Sequence, residues 1–450
     1  MKIGLWLQDH RNDTEERFNE VMDIVKKSDI DLLVFPEAAY TPFNNLLEQN
    51  DDDYVIKNPK HKWYKEADKL AQNLGIPIMV SACQPLYFVS TEHPAPLYFS
   101  YFTNPNPTKD ETPNKVYFKH TNTGFSPLGL ECYGEFYDEL NPFGLIELKG
   151  QKIGMTICYD CKHPIFSAMY GLQGVNILIN MTGGNVDYHQ WYRYNQVRAM
   201  ENHCFTLVTM GYHESKSVNS YVYGFDSTGA YMSFSNLMNP TIDEMNLVDS
   251  VYVFDTENYE RLECIEPSEP SENKYQDFIV EAGFVTDLIA KSKRLADDLF
   301  VLNQGDDNII FVICDGNVVY YPEFAPYLMY NSKLKDIKNK RYIIVNIHDD
   351  LEEDVLEHQL DPLLSVRAME NYCAVILESP IANRCYQTTS TRQSQVVKEV
   401  NGKFGIDLKR TSGPEAIWKD KDMTNACWRE GYEFLIDECI NLINELNISK

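Results

Sequence analysis

Apolar and polar residues alternate along residues 1–262 in two patterns, one typical of buried strands and one typical of amphipathic helices. The apolar runs Lys2–Leu7 and Asp31–Phe35 predict strands, because each is shorter than a helix and is bounded by polar residues. Between them, Thr14–Ser28 repeats apolar residues every three or four positions, with Thr14 as the predicted N-cap. Trp63–Leu74 has the same helical period and stops at Gly75.

Elements of both kinds continue to the end of this region. Further strands are predicted at Ile76–Ala82, Tyr98–Thr103, Lys115–Phe118, Gln151–Cys158, Val175–Met181 and Val248–Phe254. Further helices are predicted at Ile165–Leu172 and Tyr188–Asn202. Strands that alternate with helices indicate an α/β fold or a layered αββα architecture with buried sheets.

A polar segment rich in proline divides the chain. Glu263–Glu272 contains two prolines, two serines and four glutamates and has little apolar content, which is typical of a linker. We therefore divide the chain into a first domain at residues 1–262, a linker at residues 263–274 and a second domain at residues 275–450.

Part of the first domain recurs in the second. Arg198–Cys204 reads RAMENHC, and Arg367–Cys373 reads RAMENYC, identical at six of seven positions. The strand Ile153–Asp160 is similar in type to Ile309–Gly316. Self-similarity of this kind indicates a duplicated supersecondary block. Because only the latter part of the first domain is copied, we predict that residues 275–450 form a degenerate half-domain.

Composition and charge narrow the class of protein. The 67 acidic residues against 40 basic ones give a formal net charge of −27, which opposes binding to nucleic acid and to anionic membranes. No apolar run approaches the ~20 residues of a membrane-spanning helix, and the first residues are already charged at Asp9, too early for a secretory signal. The 11 cysteines show no paired spacing, which favours reduced thiols and a cytoplasmic location.

Three chemically active side chains stand at predicted strand ends. Glu37 follows the apolar run Val34-Phe-Pro, Lys119 ends Lys115–Phe118, and Cys158 ends the strand before a helix that starts near Pro164. A carboxylate, an ammonium and a thiol supply the base, the electrostatic clamp and the nucleophile of acyl transfer. The positive end of a helix is expected to favour the thiolate form of such a cysteine.

The ordered motifs carry a family resemblance. FPE at Phe35–Glu37, YFKH at Tyr117–His120 and ICYD at Ile157–Asp160 resemble, in that order, the Glu-Lys-Cys motifs of the nitrilase superfamily of carbon–nitrogen hydrolases. RAMEN at Arg198–Asn202, preceded by Trp191, resembles the helix that follows the nucleophile in this family. The resemblance covers roughly residues 1–260, and the combination of motifs is more specific than any one of them.

The resemblance implies a four-layer αββα sandwich. It also implies that Glu37 is the general base, that Lys119 stabilises the oxyanion and that Cys158 is the nucleophile. Family members cleave amides or nitriles and need no cofactor, so that a small amide is the implied substrate. They carry a second glutamate that supports the lysine, for which this sequence offers Glu131, Glu135 and Glu139. We choose Glu135, since it precedes Leu-Asn-Pro-Phe-Gly at about the expected distance.

Other residues near the motifs have more than one interpretation. We assign substrate-binding roles to the backbone N–H of Tyr159 and to Trp191 and His189, although the last two side chains are equally suited to packing. Cys158 and Cys161 form a single C-x-x-C pair, which without a second Cys/His pair is a weak indication of zinc or redox chemistry. Neither a metal nor a cofactor is predicted.

Three functions are compatible with the sequence. The first is a thiol amidohydrolase acting on a small amide, and the second is a glutaminase-like or acyl-transferring relative. The third is a catalytically silent scaffold in which the half-domain blocks access to the site. Cys314 occupies the place of Cys158 in the second copy, but no counterparts of Glu37 and Lys119 precede it, so that no second active site is predicted. A homodimer is compatible with the resemblance.

Overall fold

The computed structural model describes residues 1–48, 53–87, 92, 95–119, 143–183, 188–212, 221–241, 249–262, 278–281, 285–315, 331–388, 394–397 and 400–413. These residues form two compact units, one within residues 1–264 and the other within residues 265–424. No helix among the described residues is both long and apolar enough to pass through a bilayer.

The first unit is a mixture of strands and helices that follows the predicted alternation. Its strands are β1 (Lys2–Asp9), β2 (Leu32–Val34), β3 (Ile78–Leu86), β4 (Ala95–Thr103), β5 (Asn114–Phe118), β6 (Ile146–Leu148), β7 (Gln151–Ile157), β8 (Ile177–Thr182), β9 (Phe205–Tyr212), β10 (Tyr223–Phe225), β11 (Tyr231–Met232), β12 (Ser235–Asn236), β13 (Ser250–Asp255) and β14 (Arg261–Leu262). Its helices are α1 (Glu15–Val25), α2 (Lys62–Leu74), α3 (Pro164–Gly171) and α4 (Tyr188–Glu201), with 3₁₀ turns at Asn44–Leu47 and Cys158–Lys162.

These strands pair into two sheets that share one junction. The first sheet has the order β5-β4-β3-β2-β1-β13-β12, and the second has the order β6-β7-β8-β9-β10-β11-β14. Strands β1, β2 and β3 are parallel, as are β7, β8 and β9. The junction lies at the end of β1, where Gln8 and Asp9 pair with Gly211 and Tyr212 of β9.

The two sheets pack face to face between layers of helices. Ser100 on β4 contacts Met181 on β8, with the hydroxyl oxygen 3.2 Å from the sulfur and both side chains buried. Helices α1 and α2 cover the outer face of the first sheet in one apolar cluster. On the outer face of the second sheet, Gly154 of β7 leaves room for the ring of Tyr170 on α3. The predicted αββα sandwich is therefore confirmed.

Local capping determines where α1 and α2 begin and end, as the sequence predicts. The Thr14 side chain accepts a hydrogen bond from the Arg17 N–H at 3.2 Å, which satisfies one backbone donor of the first turn of α1. Helix α2 ends at Gly75, whose φ of +76° is readily adopted only by glycine and whose N–H donates to the Ala71 carbonyl.

The second unit contains one larger sheet and a separate strand pair. Its strands are β15 (Phe278–Glu281), β16 (Lys293–Arg294), β17 (Leu299–Gln304), β18 (Asp307–Asp315), β19 (Lys340–Ile347), β20 (Ala374–Glu378), β21 (Asn383–Thr388), β22 (Ser394–Val397) and β23 (Lys403–Ile406). Its helices are α5 (Val285–Ala290), α6 (Glu353–Val355) and α7 (Asp361–Asn371), with a π-helical turn at Leu356–Leu360 and 3₁₀ turns at Ser332–Leu334 and Leu408–Arg410.

The larger sheet of this unit runs in sequence order from β16 to β22, with β18, β19 and β20 parallel. The pair β15–β23 contributes Phe278 and Phe404 to the apolar cluster of the sheet. Helix α7 contains the second copy of the RAMEN motif, and its Arg367 forms a buried ion pair with Glu370. The half-copy relationship of residues 275–450 to the first domain stays a prediction, and the linker at residues 263–274 lies outside the described residues.

Candidate active site

Glu37 stands in the loop that follows β2, and main-chain contacts fix this loop. Ala38 has a left-handed backbone with φ of +51°, which turns the chain directly after the carboxylate. The buried amide of Gln8 on β1 then bonds both backbone groups of Tyr40, at 2.7 Å to the N–H and 3.0 Å to the carbonyl. The Glu37 side chain is consequently held inside the protein, and it is 6% exposed.

Lys119 follows the last residue of β5 and meets Glu37. Its Nζ lies 2.7 Å from Glu37 Oε1, and both side chains are buried. Its backbone N–H donates to the Tyr98 carbonyl at 2.9 Å, and its Nζ lies 4.8 Å from the centre of the Tyr98 ring. The ring face of Tyr98 adds to the stabilisation of the Lys119 cation. The structure thus brings together two of the predicted site residues that are 82 positions apart.

Cys158 begins the 3₁₀ turn Cys158–Lys162 directly after β7. Its φ of +49° is unusual for a residue with a side chain and marks a sharp change of direction at the strand end. The thiol is buried and lies within reach of both the Glu37 carboxylate and the Lys119 ammonium. The three predicted groups are therefore neighbours at one end of the sandwich.

The charges of this group determine its resting protonation. Burial, and then the Glu37 carboxylate, raise the pKa of the Cys158 thiol well above its ordinary value, although Lys119 opposes the rise. Burial alone would lower the pKa of Lys119, but its electrostatic interactions with Cys158 and Glu37, together with the hydrogen bond to Glu37, raise it overall. Burial therefore opposes the expected effect of the helix terminus and favours the neutral thiol of Cys158.

Helix α4 contacts the turn Cys158–Lys162 through a buried arginine. Arg198 is fully buried, and its guanidinium donates to the carbonyls of Cys161 at 2.9 Å and Lys162 at 3.3 Å. It also pairs with Glu201 on the same helix. The Asn180 amide of β8 donates to the Cys158 carbonyl at 3.4 Å. The RAMEN helix therefore acts as a support for the turn.

Aromatic side chains flank the turn. The ring of Tyr159 contacts the ring of Trp191 with centroids 5.6 Å apart, and its hydroxyl accepts a hydrogen bond from Lys162 Nζ at 2.8 Å. Trp191 is buried next to the turn, and its substrate-binding role stays a prediction. Cys83 on β3 and Tyr98 on β4 lie within electrostatic range of Glu37 and Lys119, and burial raises the pKa of Cys83 to about 12. Sequence reasoning missed both residues, since no motif marks them.

Several predicted residues fall outside the described part of the chain. Glu135 and its alternatives Glu131 and Glu139 lie in residues 120–142, so that the support for Lys119 by a second glutamate stays a prediction. The backbone of His189 belongs to α4, but its side chain is outside the description. Among the described residues, no group of three or more His, Cys, Asp or Glu side chains is arranged to hold a metal ion.

Cys314 in the second unit differs from Cys158 in backbone geometry. Strand β18 continues through Cys314 to Asp315, and Cys314 pairs in register with Asn346 of β19. Cys314 is absent from the residues with positive φ, and burial raises its pKa to about 12. Cys314 thus lies within a strand ladder, whereas Cys158 lies at a turn.

Comparison with known proteins agrees with the motifs. Residues 8–226 match the sequence profile of the family described as carbon–nitrogen hydrolase. The putative protein YbeM of Escherichia coli (strain K12) is 30% identical over 66 residues, which are 14% of this chain. The chain spans about a third (35%) of the length of this curated relative.

Solved structures with a related arrangement include two from this superfamily. An amidase from Nesterenkonia sp. matches with a TM-score of 0.40 and 15% identity, over 56% of this chain and 89% of that protein. Saccharomyces cerevisiae Nit3, a member of branch 10 of the nitrilase superfamily, matches with a TM-score of 0.38 and 14% identity, over 57% of this chain and 90% of that protein. The assignment of class does not depend on these distant likenesses. Over residues 8–226 the chain belongs to the carbon–nitrogen hydrolase family.

Proposed function

We propose that the first unit is a thiol amidohydrolase, which cleaves the C–N bond of a small non-peptide amide through a thioester on Cys158. The single observation that carries this proposal is the buried contact of Lys119 Nζ with Glu37 Oε1 at 2.7 Å, with the Cys158 thiol within reach of both groups. A base, a cation and a nucleophile in one desolvated place supply what acyl transfer requires.

The first half of the reaction forms the thioester. Because Cys158 rests as a thiol, Glu37 takes its proton as the sulfur attacks the carbonyl carbon. The oxygen that becomes negative is held by Lys119 and by the backbone N–H of Tyr159, in the first turn of the 3₁₀ segment, where the N–H groups have no intrahelical acceptor. Glu37 then gives the proton to the leaving nitrogen, and ammonia or an amine departs.

The second half of the reaction restores the enzyme. Glu37 takes a proton from water as the water oxygen attacks the thioester carbon, and the tetrahedral oxyanion is held by the same donors. The C–S bond breaks, the sulfur regains a proton, and a carboxylic acid is released. Every proton is carried by Glu37, so the proposed cycle uses no metal and no cofactor.

The test is ammonia release by the full chain from a panel of primary amides, from acetamide to hexanamide, together with glutamine. Cys158→Ala is expected to lower turnover at least ~10³-fold, as the loss of a nucleophile does in other acyl-transfer enzymes. Cys204→Ala is the matched control, since Cys204 is another buried free thiol of the same unit, outside the candidate site.

The outcomes separate the three functions. Turnover by Cys158→Ala at the wild-type rate would refute the mechanism. Ammonia release from glutamine alone would favour a glutaminase-like relative over a general amidase. Absence of turnover, together with slow alkylation of Cys158 by iodoacetamide, would favour a silent scaffold. We also propose that the second unit has no active site, because Cys314 lies within a strand and not at a turn.

A further inference from the structure

Two buried side chains beside the proposed triad take no part in the reaction cycle. Tyr117 on β5 stands two residues before Lys119, and Asp160 stands two residues after Cys158. The Tyr117 hydroxyl donates a hydrogen bond to Asp160 Oδ2 at 2.8 Å, and both side chains are fully buried. This contact directly joins the segment that carries the cation to the turn that carries the nucleophile.

The contact lies where strand pairing cannot align these segments. Among the described strands, the two sheets pair only at the end of β1, and β5 is the last strand of the first sheet, four strands away. At the β5 edge, a loop contact joins the start of β5 to β6, where the Thr112 N–H donates to the Glu147 carbonyl at 2.9 Å. At the other end of β5, where Lys119 lies, side chains that cross between the sheets contribute to its position relative to Cys158. The hydrogen bond from Tyr117 to Asp160 crosses between the sheets in this way. Each of its two residues lies two positions along the chain from one of the two reacting groups.

Asp160 also fixes the turn itself. The same oxygen, Oδ2, accepts the Ile157 N–H at 3.2 Å, which ties the last residue of β7 to the 3₁₀ segment. The negative charge of Asp160 acts on Lys119 as well and contributes to its raised pKa. During the proposed cycle Glu37 becomes neutral when it takes the thiol proton, and a second carboxylate then compensates part of the charge of Lys119.

We propose that Tyr117 and Asp160 are positioning residues, whose hydrogen bond across the sandwich fixes the distance between Lys119 and Cys158. This inference rests on the proposed function, since the distance matters only if the two groups act on one carbonyl. A displacement of about 1 Å in such a pair costs up to ~10²-fold in rate.

The test uses iodoacetamide, which alkylates a cysteine whether or not the natural substrate is known. The sulfur of Cys158 forms a bond to the methylene carbon, iodide leaves, and the thiol proton passes to Glu37. The maximal rate of labelling and the half-saturating concentration are measured separately, with the labelled peptide identified by mass spectrometry. Wild-type labelling of Cys158 faster than that of Cys204 is the check on the proposed function.

Tyr117→Phe removes only the hydroxyl of this hydrogen bond. It is expected to lower the maximal rate of Cys158 labelling ~10-fold or more, with the half-saturating concentration unchanged. The matched control is Tyr101→Phe, because Tyr101 makes the same kind of bond, at 2.9 Å to Asp68, on the outer side of the first sheet. The control is expected to lose similar thermal stability and to keep the wild-type rate.

A second pair of variants separates positioning from bulk and charge. Asp160→Asn can present its amide oxygen to both the Tyr117 hydroxyl and the Ile157 N–H, whereas Asp160→Ala loses both bonds. Asparagine is expected to retain at least ~5-fold more activity than alanine. Equal labelling rates for Tyr117→Phe and Tyr101→Phe would overturn the proposal, and so would an Asp160→Asn variant as slow as Asp160→Ala. Slow labelling of wild-type Cys158 would instead refute the proposed function.

Discussion

Substitution of Gly183 by alanine is expected to lower the reaction rate at the proposed site although it replaces none of Glu37, Lys119 and Cys158. Gly183 directly follows β8, and a Cβ built on it would lie 2.9 Å from Glu37 Oε2, whereas ordinary contacts begin at 3.4 Å. The carboxylate would have to move by about 0.5 Å. Its other oxygen is bonded to Lys119 at 2.7 Å within a buried site, so a shift of this size extends that bond to the limit of normal hydrogen-bond geometry.

We expect Gly183→Ala to lower the rate of Cys158 labelling by iodoacetamide, and of ammonia release, by ~10- to 100-fold. The matched control is Gly224→Ala on β10, where a Cβ would meet Thr206 O and Leu207 Cδ2 at the same 2.9 Å. The control introduces a similar clash in the second sheet but leaves Glu37 alone, so it should reduce thermal stability and preserve both rates. Wild-type rates in Gly183→Ala would show that Glu37 tolerates displacement, and would refute a tight dependence of the rate on the position of its carboxylate.

Three further predictions follow from the described contacts. In a double-mutant cycle measured by urea denaturation, Glu37→Gln and Lys119→Met should each lower the free energy of unfolding by roughly 3 kcal/mol. The double variant should lower it by less than the sum of the two, and additive losses would contradict a buried pair. Because the pKa of Cys158 is raised on folding, the contribution of its neutral thiol to stability is complete below about pH 8.5. Above that pH the contribution falls by up to ~1.4 kcal/mol per pH unit. Cys158→Ala should remove this contribution to the pH dependence of the free energy of unfolding, and an unchanged pH dependence would contradict the raised pKa. Asn346→Val should raise the unfolding temperature, because both polar atoms of this buried amide are without a hydrogen-bond partner within the described structure. Asn180→Val should lower it, because the Asn180 amide donates hydrogen bonds that valine cannot make. The reverse order in calorimetry would contradict this explanation.

The sequence predicted the parts of this structure that local patterns encode. The αββα layers follow from apolar runs that alternate with amphipathic segments. The start of α1 follows from the side chain of Thr14 and the end of α2 from the backbone of Gly75, and each residue acts on a single helical turn. The strand ends at Glu37 and Lys119 were also predictable, because an apolar run stops at each of them. The short strands β10, β11 and β12 were not predicted, since two or three residues carry no period.

Contacts between distant segments were beyond such patterns. The bond between Tyr117 and Asp160 spans 43 positions and connects two sheets, and neither residue differs locally from an ordinary core tyrosine or turn aspartate. The close approach of Gly183 to Glu37 exists only after β2 and β8 have been placed. The rise in the pKa of Cys158 was also beyond local patterns, since desolvation depends on the whole fold and not on the adjacent helix.

The left-handed backbone of Cys158 places the sulfur at the one kind of position where glycine is ordinarily the better-tolerated residue. Any side chain there costs the native state ~1 kcal/mol or more, so that Cys158→Gly should outlast Cys158→Ala on heating, the reverse of the order in a helix or strand. A thermostability screen without an activity readout would therefore select glycine at position 158. The proposed reaction requires cysteine at the same position, so that selection for thermal stability alone would remove the proposed activity.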